Sequence, residues 1–208
     1  MPVTIGKPPE SDFTDPLGML SDCHRRIKRF LDTLIEITKQ AQGAELNQQQ
    51  RGALKGAIRY FREAAPNHTR DEEESLFPRM RASGSERVLR MLDRLDCLHE
   101  EHVAAAAGHA EVETLGERWL AEGCLSAQTV RRLTELLERL RIIYQTHIRL
   151  EDTEIFPLAA EALEDTEIEA LGREMAARRG ITLKPRSERE KERETDQRKI
   201  GAEENHEK

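Results

Sequence analysis

The sequence is short of cysteine, of aromatic residues and of long apolar runs, and each shortage removes a class of protein. Cys23, Cys97 and Cys124 are three in number, with no CxxC spacing among them. This argues against a disulfide framework and against a thiolate zinc site, and predicts reduced thiols. Small apolar packing is the simpler role for them. Cys23 adjoins His24 and Cys97 lies two residues before His99, so a redox role beside a histidine site is also conceivable. Nowhere does the chain offer the ~20 consecutive apolar residues of a membrane span, and residues 1–10 contain no apolar leader core. The expectation is a cytoplasmic protein with no membrane partner.

Positive charge is in the minority, with 33 Lys and Arg against 40 Asp and Glu and a net charge of -7. Nucleic acid is therefore not an expected partner. Aromatic content is 4%, strand signals are absent, and the segments are rich in Leu, Ala, Glu and Arg, a helix-forming composition. At 208 residues the chain suits one all-α domain with sequence left over, given about 150 residues per domain.

Against that background one pattern occurs twice. His68-Thr69-Arg70-Asp71-Glu72-Glu73-Glu74-Ser75-Leu76-Phe77-Pro78 returns as His147-Ile148-Arg149-Leu150-Glu151-Asp152-Thr153-Glu154-Ile155-Phe156-Pro157, both reading H-x-R-x-E-(E/D)-x-x-(L/I)-F-P. Residues i and i+4 of a helix share a face, so each copy aims an imidazole and a carboxylate at one point.

The surrounding periodicity predicts four long helices. Asp15-Pro16 opens the first, with Leu17, Leu20, His24, Ile27, Leu31 and Leu34 on one stripe. The second starts near Asn47 and turns Leu54, Ile58, Phe61, Ala65, His68 and Glu72 inward, with a kink or local widening expected at Pro66. Ser85 is the expected cap of the third, which carries Met91, Leu95, Leu98, His102, Ala105, His109 and Val112. Ser126 opens the fourth, with Val130, Leu133, Leu137, Leu140, Tyr144, His147 and Glu151. A capping box at Thr166-Glu167-Ile168-Glu169 and the closing Arg178-Arg179-Gly180 define a short fifth helix. The expected organisation is an N-terminal arm at 1–15, an up-down four-helix bundle at 16–162, a short helix at 163–180 and a charged, disordered tail at 181–208. His206 falls in that tail and is not a ligand candidate.

The inward set is His24, His68, Glu72, His102, His147 and Glu151. His99, three residues before His102, and Glu73, the rival of Glu72, are further candidates. His109 lies about 10 Å along the axis from His102, too far to share an ion with it. Glu73, Glu74, Asp152 and Glu154 are expected to be solvated or paired with Arg70 and Arg149. Tyr144 reads equally as core or as a donor behind the ligands, and Phe77 and Phe156 as plugs for the bundle end. Imidazoles and two carboxylates without thiolate suit iron, with manganese the alternative, and the carboxylates are natural bridges across a metal pair ~3.5–4 Å apart. Burying such a set without a cation is costly.

Asp15-Pro16…His24, His68-x-x-x-Glu72…Leu76-Phe77-Pro78, Glu101-His102 and His147-x-x-x-Glu151…Ile155-Phe156-Pro157 resemble hemerythrin-like, or HHE cation-binding, domains over about residues 15 to 160. The resemblance implies a four-helix bundle housing two iron ions, oxo- or hydroxo-bridged as well as carboxylate-bridged. Ferritin-like di-iron proteins use Glu-x-x-His, absent from residues 16–162. One position departs: the oxygen carriers hold a fifth histidine one turn before the third-helix ligand, and Leu98 stands there. The implied role is binding of O2, NO or a related small oxidant for sensing, storage or detoxification. The alternatives are an enzyme turning over peroxide or NO, an iron donor for iron-sulfur cluster repair, and an interaction module whose tail contacts a protein partner.

Overall fold

Asp15 caps the first helix by accepting from the Gly18 amide, and Pro16 takes the first helical position, where its missing N–H costs nothing. In a computed structural model, which describes residues 10–184, α1 then runs Pro16–Ala41. The expectations for residues 1–9, for 185–208 and for His206 lie outside the described residues. Among the described residues every regular element is helical, and no helix is long and apolar enough to cross a membrane.

Asn47 and Gln50 form a reciprocal capping box that opens α2 (Gln48–Arg59). This helix continues through a π-helical segment, Tyr60–Ala64, into α3 (Ala65–Arg70), a second π segment, Asp71–Leu76, and α4 (Phe77–Ala82). The widening expected before His68 is therefore real. A third π segment, Glu151–Ile155, joins α7 (Ala127–Leu150) to α8 (Phe156–Ala162). All three π segments end two residues before a proline: Pro66, Pro78 and Pro157. A helical proline removes a donor and drives its ring into the carbonyl four residues back, and an extra residue in the turn relieves both.

The third helix departs from expectation. Ser85 precedes only a single turn, α5 (Glu86–Leu89), and makes no side-chain cap; the long α6 begins afresh at Leu92 and ends at Glu122. Ser126 caps α7 by accepting from the Thr129 amide. The last helix, α9 (Asp165–Arg178), is boxed by Glu164 and Glu167 rather than by Thr166 and Glu169.

The long helices form a bundle in which α1 packs on α2 and α7, and α6 on the same two. One end is tied by the Trp119 indole donating to the Ala44 carbonyl (3.0 Å), Arg51 to the Leu120 carbonyl (2.8 Å) and the Leu125 amide to the Gly43 carbonyl (2.8 Å). Gly43 has φ 81°, and a Cβ there would lie 2.8 Å from the Leu125 carbonyl oxygen, so glycine serves both conformation and approach. The core falls into two apolar clusters, one from Ile27 to Ile148 and one around Leu20, Leu76, Leu95, Ile155 and Met175. Buried polar residues separate them.

Helix α9 closes the end nearest those polar residues. Leu171 and Met175 are fully buried in the second cluster, Arg79 grips Glu174 through two bonds (2.6 and 3.0 Å), and Gly172 abuts the chain at Phe13. A Cβ at Gly172 would stand 2.1 Å from the Phe13 carbonyl oxygen, a backbone atom with little room to yield. Gly172→Ala should accordingly cost about 1–3 kcal/mol through overpacking, read as a lowered midpoint of thermal unfolding. An unchanged midpoint would mean that α9 does not dock here.

Candidate metal centre

Four helical rods contribute to one buried layer. α1 supplies His24, α3 and the π segment after it supply His68 and Glu72, α6 supplies His102, and α7 with its π segment supplies His147 and Glu151. The six residues are 8% exposed or less, and both glutamates are wholly buried. Their donor atoms fall into two groups, His24–His68–Glu72–Glu151 and Glu72–His102–His147–Glu151, the atoms of each group lying within 4.8 Å of one another.

The groups share their carboxylates. Glu72 turns Oε1 to His68 Nε2 (3.3 Å) and His24 Nε2 (3.8 Å), and Oε2 to His102 Nε2 (3.3 Å). Glu151 Oε2 lies 3.1 Å from His24 Nε2 and 3.2 Å from His147 Nε2. Both oxygens of both carboxylates, with Nε2 of His24, His102 and His147, are buried without a hydrogen-bond partner. So many orphaned polar atoms converging on one space are costly in a protein interior, and a cation among them would satisfy them together.

The outer ring nitrogens hold the histidines in place. His24 Nδ1 pairs with Asp152 (2.8 Å), His102 Nδ1 with Glu73 (2.7 Å) and His147 Nδ1 with Glu101 (2.8 Å). Each carboxylate favours the tautomer whose Nε2 lone pair faces inward and makes that nitrogen a better donor. His68 Nδ1 alone has no such partner. Glu73 is thus a carboxylate behind His102 and not the rival of Glu72. Asp152 and Glu73 each follow a shared glutamate in the repeated motif and reach a histidine on another helix. Asp152 also accepts from the Ser21 hydroxyl, Glu154 pairs with Arg94, and Glu74 pairs with Arg70 as expected. Glu101, beside His102 in sequence, was not anticipated in this role.

Charge in the layer is balanced by protons when no cation is there. Burial works against the charged form of His24, yet Asp152, Glu151 and Glu72 outweigh it and hold the imidazole well above its usual range. His102 is likewise carried to about 10 by Glu72 and Glu73 against burial, and His147 is raised by Glu151. His68 goes the other way, burial bringing it to about 4. Glu72 resists burial through His68, His102 and His24 and lies well below the carboxylate range. Glu151 is also lowered, with burial and Glu72 opposing His147 and His24.

His99 does not join the layer: its side chain is 62% exposed and its Nδ1 meets Glu73 at 3.0 Å. Leu98 is buried in the apolar cluster. Tyr144 sends its hydroxyl to His109 Nε2 (2.9 Å) and to no histidine of the layer. Phe156 stacks on His24 and Phe77 on His102, with centroids 5.4 and 6.5 Å apart, closing the layer on the α9 side. Of the cysteines only Cys23 is buried; Cys97 and Cys124 are exposed and do not pack as apolar residues.

Each of the two histidine–glutamate groups has the donor chemistry and spacing to hold a metal ion. An uncharacterized protein of Haemophilus influenzae is 28% identical to this chain over 177 residues, covering 81% of this chain and 92% of the relative. Residues 15–159 match the family described as the hemerythrin HHE cation binding domain. That match takes in all six residues of the layer and most of the sequence, and the chain belongs to the hemerythrin HHE cation-binding family.

Proposed function

We propose that the layer holds two iron ions, one in each group, and that the protein takes up O2, NO or peroxide there for sensing, storage or detoxification. The observation that carries this reading is the membership of Glu72 and Glu151 in both groups, the arrangement expected of carboxylates shared by a metal pair. His24 and His68 would complete one position, His102 and His147 the other. Imidazole and carboxylate without thiolate favour iron, with manganese the alternative. Bound iron would supply one-electron redox chemistry and an open position for a small ligand. The chain's own part is to fix the donors: Asp152, Glu73 and Glu101 hold three imidazoles in the inward-donating tautomer, and Phe77 and Phe156 exclude water from one side. An up-down order of the four long rods fits this reading, because the six donors come from the start of the first and third rods and the end of the second and fourth.

Within this reading, turnover of peroxide or NO is favoured over reversible oxygen carriage by two residues. Leu98 stands where a fifth histidine would be, and His99 points to Glu73. The second group therefore has two imidazoles and no third. The test is to load the protein with ferrous iron without air, count the metal, and follow visible absorption as air, NO or peroxide is admitted. Two irons per chain and a reversible colour change would mean ligand binding. Irreversible conversion, with peroxide or NO consumed beyond one equivalent, would mean turnover. A chain that takes up no iron overturns the reading.

A further inference from the structure

Tyr144 and His109 form a half-buried pair that the metal layer leaves unused. The phenol oxygen lies 2.9 Å from His109 Nε2. His109 stacks on Phe61 with centroids 3.9 Å apart, and its Nδ1 is buried with no hydrogen-bond partner. On its other side the Tyr144 ring meets the ring of His147 edge-on, centroids 6.4 Å apart. Burial lifts the phenol well above its usual range and lowers His109 to about 4, so both are neutral near pH 7. The neutral phenol donates and the neutral imidazole accepts.

The chain contains a second tyrosine that serves as an internal comparison. Tyr60 is also raised by burial, but its hydroxyl meets the Cys23 backbone carbonyl, at 3.4 Å, and the Arg26 guanidinium, a cation that takes up no proton. A phenol that loses an electron becomes a strong acid and must shed its proton at once. A ring nitrogen within hydrogen-bond reach accepts that proton, whereas a peptide carbonyl is too weak a base to do so. Of the two tyrosines, only Tyr144 is set up to be oxidised.

We propose that Tyr144 and His109 form a proton-coupled electron relay beside the metal layer. The inference rests on the reading of that layer as an iron pair, whose peroxide-oxidised form is the oxidant. One electron passes from Tyr144 to the oxidised metal pair, and the phenolic proton moves to His109 Nε2. The products are a neutral Tyr144 phenoxyl radical, a His109 imidazolium and a metal pair reduced by one electron. Tyr144 and His109 both line a cavity of about 460 Å³ that also reaches the exposed Val103. The oxidising equivalent is thereby led from the ligand histidines towards a solvent-reachable face.

The test treats the iron-loaded full chain, with iron counted, with peroxide, freezes it and records electron paramagnetic resonance. A phenoxyl signal that is lost in Tyr144→Phe, kept in Tyr60→Phe and lost in His109→Leu at unchanged iron content is the expected result. A signal that survives Tyr144→Phe, or no radical in iron-loaded protein, overturns the relay. The same variants without iron, oxidised by a photogenerated ruthenium(III) complex, read the pair by itself. There the radical should again form at Tyr144, and a radical at Tyr60 or none at Tyr144 overturns the relay whatever the iron does. Failure to load iron, with the photochemical radical at Tyr144 intact, overturns the iron reading and leaves the pair as an oxidisable site.

Discussion

Replacing Glu72 and Glu151 together by glutamine should abolish metal binding at both positions, whereas His68→Ala should empty mainly one. The difference follows from membership: Glu72 and Glu151 belong to both donor groups, while His68 belongs only to the first and His147 only to the second. Glutamine keeps the size and one acceptor oxygen but loses the charge and the second oxygen that faces the other group. Disturbing a single partner behind a ligand already costs about 10–100-fold in metal affinity. Losing two shared carboxylates should cost about a thousandfold or more at each position by the same reckoning. His68→Ala and His147→Ala should each lower the metal count towards one per chain, and the two combined towards none. Metal content after gel filtration, with helical circular dichroism to confirm the fold, reads the result. A double glutamine variant that keeps a full complement would show that the shared carboxylates do not hold the metal.

The inward six were legible because helical periodicity alone determines which residues share a stripe. His24, His68, His102 and His147 interrupt stripes of Leu, Ile and Ala, and the duplicated His-x-x-x-Glu places each carboxylate one turn from its imidazole. What happens between helices was not legible. Glu73, Asp152 and Glu101 each hold a histidine of a different rod, and a stripe drawn on one helix says nothing of its neighbour's register. A signal did exist for two of them, since the acid after the shared glutamate is part of the repeat in both copies. The π segments were half visible: Pro66 announced one, while Pro78 and Pro157 were read only as the ends of a motif.

The C-terminal helix shows the same limit. Arg178 and Arg179 read as basic residues closing a short helix, which they do ahead of Gly180 with φ 70°. In three dimensions they also reach the fully buried Asp71, each at 2.8 Å. Asp71 opens the π segment that carries Glu72. A helix beyond the family-matched residues therefore braces the segment bearing a shared carboxylate. Separations of 107 and 108 residues between the partners lie beyond any local pattern.

Metal affinity should rise with pH, and the stability of the metal-free protein should fall over the same range. Both follow from the protons that stand in for the cation. His102 titrates at about 10 in the fold, against about 6.5 when unfolded. A group raised on folding contributes stability that is fully present below the unfolded value and disappears as pH climbs through the folded one. His24 and His147, raised by the same carboxylates, add in the same direction. The sum is on the order of a few kcal/mol at least. His68, lowered to about 4, acts oppositely: the unfolded chain protonates it first, so stability also falls as pH drops from about 6.5 towards 4. The metal-free protein is therefore most stable near pH 6.5 and weakens on either side. A metal ion must expel the protons on His24, His102 and His147 before those nitrogens can donate, so each step up in pH lowers the cost of binding. Thermal unfolding of metal-free and manganese(II)-loaded protein from about pH 6.5 to 8.5 reads both trends. The gap between the two midpoints should widen steadily with pH. A constant gap would mean that binding displaces no protons and that the three imidazoles are neutral before the metal arrives.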